Sequence, residues 1–414
     1  MHEYDRPIRD PMWKHVYLSE PLVNLLGRPE MLKLTRIRQL GPSYLVYPGA
    51  THTRLNHSIG VFHLAKRMIR KVVSEPGCPP LTLTGVRSFL TAALLHDLGH
   101  FPYTHSLKEL PLTEHEQLAA TMITETDLAE QIRTDIGADP EMVASIIDED
   151  REIADRNEVC LYRSILSGAL DPDKLDYLNR DAHFCGVPYG LQDVDFVIDQ
   201  LVPLPDYRLA LRPDGIQAVE TILFSKYLMY RAVYWHKTVR IATAMIKKAL
   251  YLSLRDGFVA PGDLYDLDDE SFVRVMRDSG SPSARLIQDV WMRRFHKVVD
   301  EYRFDPAEAS LVALTELEKR TEVEAAIASE LRSSSSVPVS ESDIVIDIPE
   351  RISFEVDMPI ADGDSIRSFP DAGSVFTADV VREFTASLRR VRVMCRPVPG
   401  LDPHAVSAVF RKLV

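Results

Sequence analysis

Hydrophobic residues recur every three or four positions through most of the chain. This spacing holds for Leu22–Leu40, Val61–Val72 and Val86–Leu94, and it is the period of a helix that buries one face. Residues 8–18 instead alternate after a proline, which predicts a short strand or hairpin arm. Further helices are predicted at 114–128, from Pro172, over 215–254 and, with interruptions, to about residue 331.

The last eighty residues follow a different pattern. A serine run from Ser333 is typical of a linker. Beyond it, residues 344–348, 352–356 and 391–394 alternate with period two, and 378–389 is helical in pattern. We therefore predict a mainly α protein with a smaller α+β C-terminal region. The predicted division is 1–255 for the main domain, 256–332 for a helical extension, 333–342 for the linker and 343–414 for the α+β region.

Composition limits the classes of protein. The chain has 414 residues, 45% of them hydrophobic, and a formal net charge of −13. That charge disfavours a broad nucleic-acid surface but allows a local basic pocket for a small anion. No apolar run approaches the roughly 18 residues of a membrane span, and the N-terminus lacks the features of a signal peptide. We expect a cytoplasmic protein without membrane contact, whose four separated cysteines are free thiols.

Candidate chemistry begins at the end of the helix predicted over 84–95. The sequence HDLGHFPYTH places His96 and Asp97 at its last turn, before Gly99 and Pro102. An imidazole and a carboxylate are ligands for a divalent ion, but two neighbours supply only part of a coordination shell. Taken alone, the pair is more often a helix-end histidine beside a loop carboxylate.

Two other segments hold residues of the same types. His57 lies at the start of the helix that follows a polar loop, where a capping or surface histidine is the ordinary interpretation. In the helix from Pro172, Asp173, Tyr177 and Asp181 share one polar stripe at four-residue spacing. For Asp176 and Arg180 of the same helix, the pattern favours an ion pair on a solvated face.

The order His57, His96-Asp97, Asp173 resembles the HD-domain metal-dependent phosphohydrolases, and within them the deoxynucleoside triphosphate triphosphohydrolase branch. The resemblance runs from about residue 8 to 245. Its motifs are Asp10-Pro11, Arg38-Gln39-Leu40-Gly41, Pro48-Gly49-Ala50, Arg54-x-x-His57, His96-Asp97-x-x-His100-x-x-x-x-His105, His115-Glu116, Asp173-Lys174-x-Asp176-Tyr177-x-x-Arg180-Asp181 and Tyr234-x-His236-Lys237. It implies a helical HD domain built around one metal site.

The resemblance also implies roles for single residues. The implied metal ligands are His57, His96, Asp97 and Asp173. Two nitrogens and two carboxylates with open positions suit Mn, Mg, Fe or Co, and zinc is less favoured. The implied triphosphate-binding residues are Arg54, His100, Lys174 and Tyr177. The implied acid and base pair near the α-phosphate is His105 and His115, and the implied deoxyribose pocket is Gln39, Leu40, Asp181 and Tyr234.

Three positions depart from the family pattern. Lys108 stands where an aspartate orients the catalytic histidine in the animal homologue, Tyr230 replaces a histidine, and Lys226 replaces a phosphate-binding arginine. Lysine donates as a point charge and lacks the bidentate fork of arginine. These departures bear on the leaving group rather than on the metal ligands. Asp10 alone represents the family's activator-nucleotide site, so nucleotide activation is not predicted.

Three functions are compared. The leading hypothesis is hydrolysis of a dNTP to deoxynucleoside and inorganic triphosphate, with a divalent ion as cofactor. The alternative is an HD phosphohydrolase that acts on a nucleoside mono- or diphosphate or another phosphate ester. A nucleotide-binding regulator or nucleic-acid-binding module with a vestigial site is disfavoured by the acidic charge and the complete ligand set. A nucleotide is the expected partner, and assembly into a homo-oligomer stays open.

Overall fold

Helices make up most of the protein. A computed structural model describes residues 4–152, 157–334, 337–352, 354, 358–363 and 365–414. The α-helices are α1 Glu20–Leu26, α2 Pro29–Leu34, α3 Arg54–Ser74, α4 Leu83–Leu95, α5 His115–Glu125, α6 Leu128–Gln131, α7 Pro140–Ile147, α8 Asn157–Leu166, α9 Pro172–Cys185, α10 Val194–Asp199, α11 Ile216–Met229, α12 Lys237–Arg255, α13 Asp269–Asp278, α14 Arg285–Trp291, α15 Ala309–Ala313, α16 Leu317–Ser334, α17 Ala378–Leu388 and α18 Pro403–Leu413. The strands are β1 Arg6–Asp10, β2 Lys14–Leu18, β3 Leu201–Pro203, β4 Leu209–Leu211, β5 Lys297–Arg303, β6 Ile344–Asp347, β7 Pro359–Asp362, β8 Ser365–Ser368 and β9 Arg390–Cys395. The predicted fold class is confirmed.

Local sequence signals set the ends of the helices that carry the candidate site. At the start of α3, the Thr53 backbone N–H donates to the Asn56 side chain at 3.0 Å. Before α9, the Asp171 carboxylate accepts from the Lys174 backbone N–H at 2.6 Å, and Pro172 occupies the first turn. Both features satisfy N–H groups that the first turn of a helix leaves without a partner. They place the first turns of α3 and α9 at fixed positions.

The largest core surrounds α3. This helix packs against α4 and α9, while α5 and α7 pack together alongside α4. Phe62 of α3 and Phe89 of α4 are completely buried, and truncating a buried phenylalanine to alanine costs about 3–5 kcal/mol. The helices that carry the metal-ligand candidates are therefore also the helices that build this core.

A second and a third core connect α12 with the C-terminal part of the chain. α12 packs against α14, and the three-stranded sheet in the order β5-β9-β6 covers α16 and α18. β5 lies in a stretch predicted to be helical, so that prediction is wrong at 297–303. This strand pairs antiparallel with β9, from Lys297 opposite Cys395 to Arg303 opposite Arg390. This long-range pairing supplies the hydrogen bonds that a helix would otherwise provide.

A four-stranded sheet joins early and late parts of the chain. Its order is β3-β4-β7-β8, and β4 pairs parallel with β7 where Leu211 faces Ile360. The predicted strand over 352–356 includes residues 353, 355 and 356, which lie outside the described residues. Residues 335–336 of the predicted linker also lie outside the described residues. The first two serines of that linker, Ser333 and Ser334, belong to α16. The four-part division of the chain stays a prediction.

Two general predictions can be compared with the structure. All four cysteines are free thiols, as expected. Among the residues that the structure describes, no helix is both long and apolar enough to cross a membrane.

Candidate active site

Three helices bring the four predicted metal ligands together. His57 lies in the first turn of α3, His96 and Asp97 follow the last residue of α4, and Asp173 lies in the first turn of α9. The His57 Nε2 atom is 2.8 Å from Asp173 Oδ1, and His96 Nε2 is 3.4 Å from Asp97 Oδ1. His96 Nε2 is also 4.0 Å from Asp173 Oδ1. Side chains that are far apart in sequence therefore point at one small volume.

The spacing of these atoms fits a shared ion. Neighbouring ligands on an octahedral centre with bonds of about 2.1 Å lie about 3 Å apart, and opposite ligands lie about 4 Å apart. The Nε2 atoms of His57 and His96 are buried and make no hydrogen bond. The short contact between His57 and Asp173 thus lacks hydrogen-bond geometry, as expected for two atoms that face a common third point. The residues present fit a divalent cation.

The local charges favour ionised carboxylates. Burial alone would raise the pKa of Asp97, but His100 and Arg54 outweigh it and hold that pKa well below its usual range. Arg54 Nη1 donates to Asp97 Oδ2 at 3.0 Å. Desolvation likewise would raise the pKa of Asp173, and His57 lowers it below its usual value. Both carboxyl groups are therefore charged near neutral pH, which is the form that binds metal.

The pKa of His57 is shifted upward, in the opposite direction from the pKa values of Asp97 and Asp173. Desolvation lowers its pKa, but Asp173 and Asp176 raise it further, to about 10. A proton and a divalent cation are thus alternative partners for the same nitrogen. We expect metal affinity at this site to fall as the pH is lowered.

Three more histidines form a cluster beside the ligand set. His100 Nδ1 is 3.2 Å from Asp97 Oδ1, and its Nε2 is 3.1 Å from His105 Nε2. The ring centroid of His115 is 3.9 Å from that of His100 and 5.2 Å from that of His105. Desolvation and the charge of Arg54 lower the pKa of both His100 and His105 well below the usual value. These two rings are neutral at pH 7, and each offers one donor and one acceptor.

The predicted phosphate-binding lysine already has partners. Lys174 Nζ contacts the buried Asp171 carboxylate and donates to the Gly168 carbonyl at 3.0 Å. Burial lowers the pKa of Lys174, and Asp171 more than restores it. The ammonium group therefore stays charged at the cavity wall, held in place by Asp171.

Two of the predicted sugar-binding residues, Asp181 and Tyr234, are hydrogen-bonded to each other. Tyr234 Oη donates to Asp181 Oδ2 at 2.8 Å, and the other oxygen of Asp181 lies 2.8 Å from His52 Nε2. The side-chain oxygen of Gln39 is buried and has no hydrogen-bond partner. Tyr234 ends a π-helical turn, Tyr230–Tyr234, between α11 and α12, and such turns recur at functional sites.

One cavity joins these groups. Its volume is about 660 Å³, within the usual range for small-molecule sites. Twelve of the fourteen predicted site residues line it: Gln39, Leu40, Arg54, His96, Asp97, His105, His115, Asp173, Lys174, Tyr177, Asp181 and Tyr234. The other two, His57 and His100, lie directly behind this wall, in contact with Asp173 and His105.

The sequence interpretation was wrong about Asp176 and Arg180. They do form an ion pair, with Arg180 Nε donating to Asp176 Oδ2 at 2.8 Å, but both side chains are completely buried rather than solvated. The neighbouring α3 covers this part of α9, and single-helix spacing carries no information about such a neighbour. The hydrogen bond from His57 Nδ1 to Asp176 Oδ2, at 2.8 Å, was missed for the same reason.

Other cavity residues were not predicted from sequence. Arg240 lines the cavity from α12, and Glu350 and Arg351 line it from the segment after β6. Glu116 lies 2.9 Å from His115 Nδ1, and Lys108 lines the cavity nearby. Two of them had a sequence signal: Lys108 stands at a departure from the family pattern, and Glu116 directly follows a predicted catalytic histidine.

Comparisons with known proteins agree with this site. The family model described as HD domain matches residues 54–180, which contain all four metal-ligand candidates, and the model described as HD associated region matches residues 193–383. The chain is thus identified as an HD-superfamily protein, and the match supports a metal-dependent phosphohydrolase. Within that superfamily it resembles the deoxynucleoside triphosphate triphosphohydrolase branch.

Individual relatives show the extent of the likeness. The chain is 29% identical over 358 residues to the uncharacterized protein YwfO of Bacillus subtilis, covering 81% of each chain. It is 27% identical over 272 residues to human deoxynucleoside triphosphate triphosphohydrolase SAMHD1, covering 58% of this chain and 44% of the human protein. A hypothetical protein from Aquifex aeolicus shares the fold, with a TM-score of 0.71 and 22% identity over 99% of this chain and 100% of that one.

Proposed function

We propose that the protein hydrolyses dNTPs, using a divalent cation, and releases deoxynucleoside and inorganic triphosphate. The observation that carries the proposal is the continuity of one cavity from three of the four ligand candidates, His96, Asp97 and Asp173, past His105 and His115, to the residues Gln39, Asp181 and Tyr234. The resemblance to the human enzyme, whose name states this activity, supports the same substrate class.

The proposed metal ligands are His57, His96, Asp97 and Asp173. When bound, the ion supplies a Lewis acid for the phosphate oxygens and lowers the pKa of water. Arg54 and Lys174 place positive charge on the cavity wall, where it offsets the charge of a polyphosphate. We propose Mn, Mg, Fe or Co as the ion, since the donor set mixes imidazole nitrogens with carboxylate oxygens.

The chain's own residues are proposed to move the protons. Hydrolysis forms a bond between a water oxygen and the α-phosphorus and breaks the bond from that phosphorus to the 5′-oxygen. The water loses a proton and the 5′-oxygen gains one. His105 and His115 lie close enough together to serve both ends of this exchange.

The part of the cavity wall formed by Gln39, Asp181 and Tyr234, here called the sugar wall, is proposed to select deoxynucleotides. The unpartnered oxygen of Gln39 is placed to accept a hydrogen bond from the 3′-hydroxyl. The Tyr234 ring is fixed by its bond to Asp181, and a ring packed against C2′ leaves no space for a hydroxyl group there. Affinity would then come from the 3′ side and discrimination from the 2′ side.

The test is a product analysis over the four dNTPs with Mn²⁺ or Mg²⁺. We expect deoxynucleoside and triphosphate as the paired products, and loss of both in Asp97→Ala with the fold intact. Asp127→Asn is a control, because that carboxylate is solvent-exposed just before α6 and pairs with Arg28. Release of monophosphate or pyrophosphate from these substrates, or hydrolysis of mono- or diphosphates alone, would favour the alternative phosphohydrolase.

A further inference from the structure

The metal-ligand candidate His57 is held from behind by a buried carboxylate. Asp176 Oδ2 accepts from His57 Nδ1 at 2.8 Å, and Asp176 has no solvent exposure. When one ring nitrogen of a histidine donates in this way, the tautomer is fixed and the lone pair of the other nitrogen faces away from the carboxylate. The atom left facing the ligand cluster is Nε2.

Asp176 is itself fixed by a guanidinium group. Arg180 Nε and Nη2 donate to the two Asp176 oxygens at 2.8 and 2.9 Å. Arg180 is completely buried, so its charge needs more than one partner. The second partner comes from far away in the sequence, because Arg180 Nη1 donates to Asp10 Oδ2 at 2.9 Å.

Asp10 and Trp13 belong to the turn of the β1–β2 hairpin. Asp10 ends β1 and its Oδ1 accepts from the backbone N–H groups of Met12 and Trp13, both at 2.8 Å. This closes the turn and orients the Trp13 indole, whose Nε1 donates to Asp176 Oδ1 at 2.5 Å. The hairpin therefore reaches Asp176 twice, once through Arg180 and once directly.

We infer that Asp10 and Trp13 are positioning residues for His57, which they orient through Arg180 and Asp176. The inference rests on the proposed role of His57 as a metal ligand, and not on the identity of the substrate. The hairpin contributes no residue to the cavity wall. It nevertheless sets the direction of a ligand atom on α3. Substitutions of the group that hydrogen-bonds a metal-ligating histidine typically cost 10- to 100-fold in metal affinity, and Asp10 and Trp13 act on that group, Asp176.

The experiment measures the Kd for Mn²⁺ by titration calorimetry, together with the melting temperature of each apoprotein. Trp13→Phe keeps an aromatic ring next to His63, which lies 5.9 Å from the Trp13 ring between centroids, and removes the N–H donor together with the five-membered part of the indole. Asp10→Asn keeps the size of the side chain and removes the charge facing Arg180. We expect the Kd to rise about tenfold or more in both variants.

Glu324→Gln is the matched control. Glu324 is also a buried carboxylate with a cationic partner, Lys248, but it lies on α16, away from the ligand set. Its substitution is expected to lower the melting temperature without changing the Kd for Mn²⁺. Asp10→Glu restores the charge and is expected to recover part of the affinity that Asp10→Asn loses.

Each outcome has one interpretation. An unchanged Kd in Trp13→Phe overturns the inference, even if Asp10→Asn fails to fold, and so does an equal rise in Glu324→Gln. Absence of Mn²⁺ binding by the wild type overturns the inference and the metal site together. Weaker binding in the hairpin variants of a protein that hydrolyses no dNTP sustains the inference and rejects the proposed substrate.

Discussion

Two histidines of α3 show how strongly surroundings change one type of side chain. His57 faces Asp173 and Asp176, which outweigh burial and raise its pKa to about 10. His63 lies less than two turns further along and stacks on Trp13. Burial, with Arg67 and Lys66 nearby, lowers the pKa of His63 to about 4. The first histidine is charged without metal near neutral pH, and the second is neutral.

The low pKa of His63 predicts a pH dependence of stability. The unfolded chain carries the ordinary value of 6.5, so it binds more protons than the folded protein between about pH 4 and 6.5. The contribution of His63 to the free energy of unfolding therefore falls as the pH drops through this window. We expect the free energy of unfolding, measured by urea titration, to decrease less from pH 7 to pH 5 in His63→Phe than in the wild type. An identical decrease in the two proteins would show that His63 does not cause the pH dependence of stability.

Tyr234 allows a test of sugar selection. Tyr234→Ala removes the ring proposed to exclude a 2′-hydroxyl, so the ratio of kcat/KM for dGTP to that for GTP should narrow. A pocket that only excludes one hydroxyl rarely discriminates more than about 100-fold, so the wild-type ratio should not exceed that order. Tyr234→Phe separates the two contributions, since it keeps the ring and loses the bond to Asp181 that fixes it. Equal cleavage of both nucleotides by the wild type would reject the assignment of the sugar wall.

At the residue level, the sequence was informative where a residue type and its motif were sufficient. Three of the four ligand candidates and both catalytic candidates line one cavity, and His57 contacts Asp173 from behind its wall. Asp176 and Arg180 were misplaced in solvent because their burial depends on Gly60 of α3 and on the hairpin. Neither neighbour can be identified from spacing along α9 alone.

Among the elements, α3 and α9 pack so closely at Gly60 that there is no space for a larger side chain. A Cβ atom at Gly60 would lie 1.9 Å from Asp176 Oδ1 and 2.5 Å from Arg180 Nη2. Gly60→Ala should therefore move the two side chains behind His57, lowering both the melting temperature and the affinity for Mn²⁺. The matched control is Gly262→Ala, because a Cβ atom there meets nothing within 4 Å. A Gly60→Ala protein with wild-type metal affinity would contradict this account of the contact.

Elements with local signals were predictable, and elements with distant partners were not. The polar residues before α3 and the Asp171-Pro172 start of α9 are both visible in the sequence. β5 was mistaken for helix because its stability depends on β9, almost a hundred positions later. The π-helical turn Tyr230–Tyr234 has the same apolar period as its flanking helices, so it was predicted as continuous helix.

Over the whole molecule, Glu109 ties the histidine-bearing loop to the later helices. Its carboxylate lies 3.0 Å from Lys247 Nζ of α12 and 2.6 Å from Arg320 Nη2 of α16. Burial would raise the pKa of Glu109, and these two cations lower it instead. The loop between His96 and His115 is thus fixed by residues from the predicted helical extension as well as from the main domain.

Glu109→Gln should leave two buried cations without their counter-charge. Removing one partner of a buried ion pair costs about 3 kcal/mol or more, and the loop that carries His105 loses its anchor. We expect a lower melting temperature and a lower kcat, with little change in the Kd for Mn²⁺. Glu130→Gln is a control, since its partner Arg133 is exposed. A loss of Mn²⁺ affinity as large as the loss of kcat would show that the anchor acts on the ligands instead.

The global arrangement was the least predictable level. The pairing of β4 with β7 joins the strands β3 and β4 to the much later strands β7 and β8. Residues after β6 also reach the cavity wall. Both contacts join segments more than a hundred positions apart. Periodicity reports which face of an element is buried, and it does not identify the element that buries it.

The convergence of α3, α9 and the end of α4 also makes an ion equivalent to a cross-link. Residues 57, 96 and 173 would be tied to one point, as a covalent cross-link would tie them. Because the unfolded chain does not hold this geometry, the ion should stabilise the fold by about 2.7 kcal/mol at a concentration 100 times its Kd. Chelation by EDTA should lower the melting temperature, and added Mn²⁺ should restore it in proportion to the logarithm of its concentration. Resistance to proteases would then report metal supply, so a cell short of the ion would lose the protein itself and not only its activity.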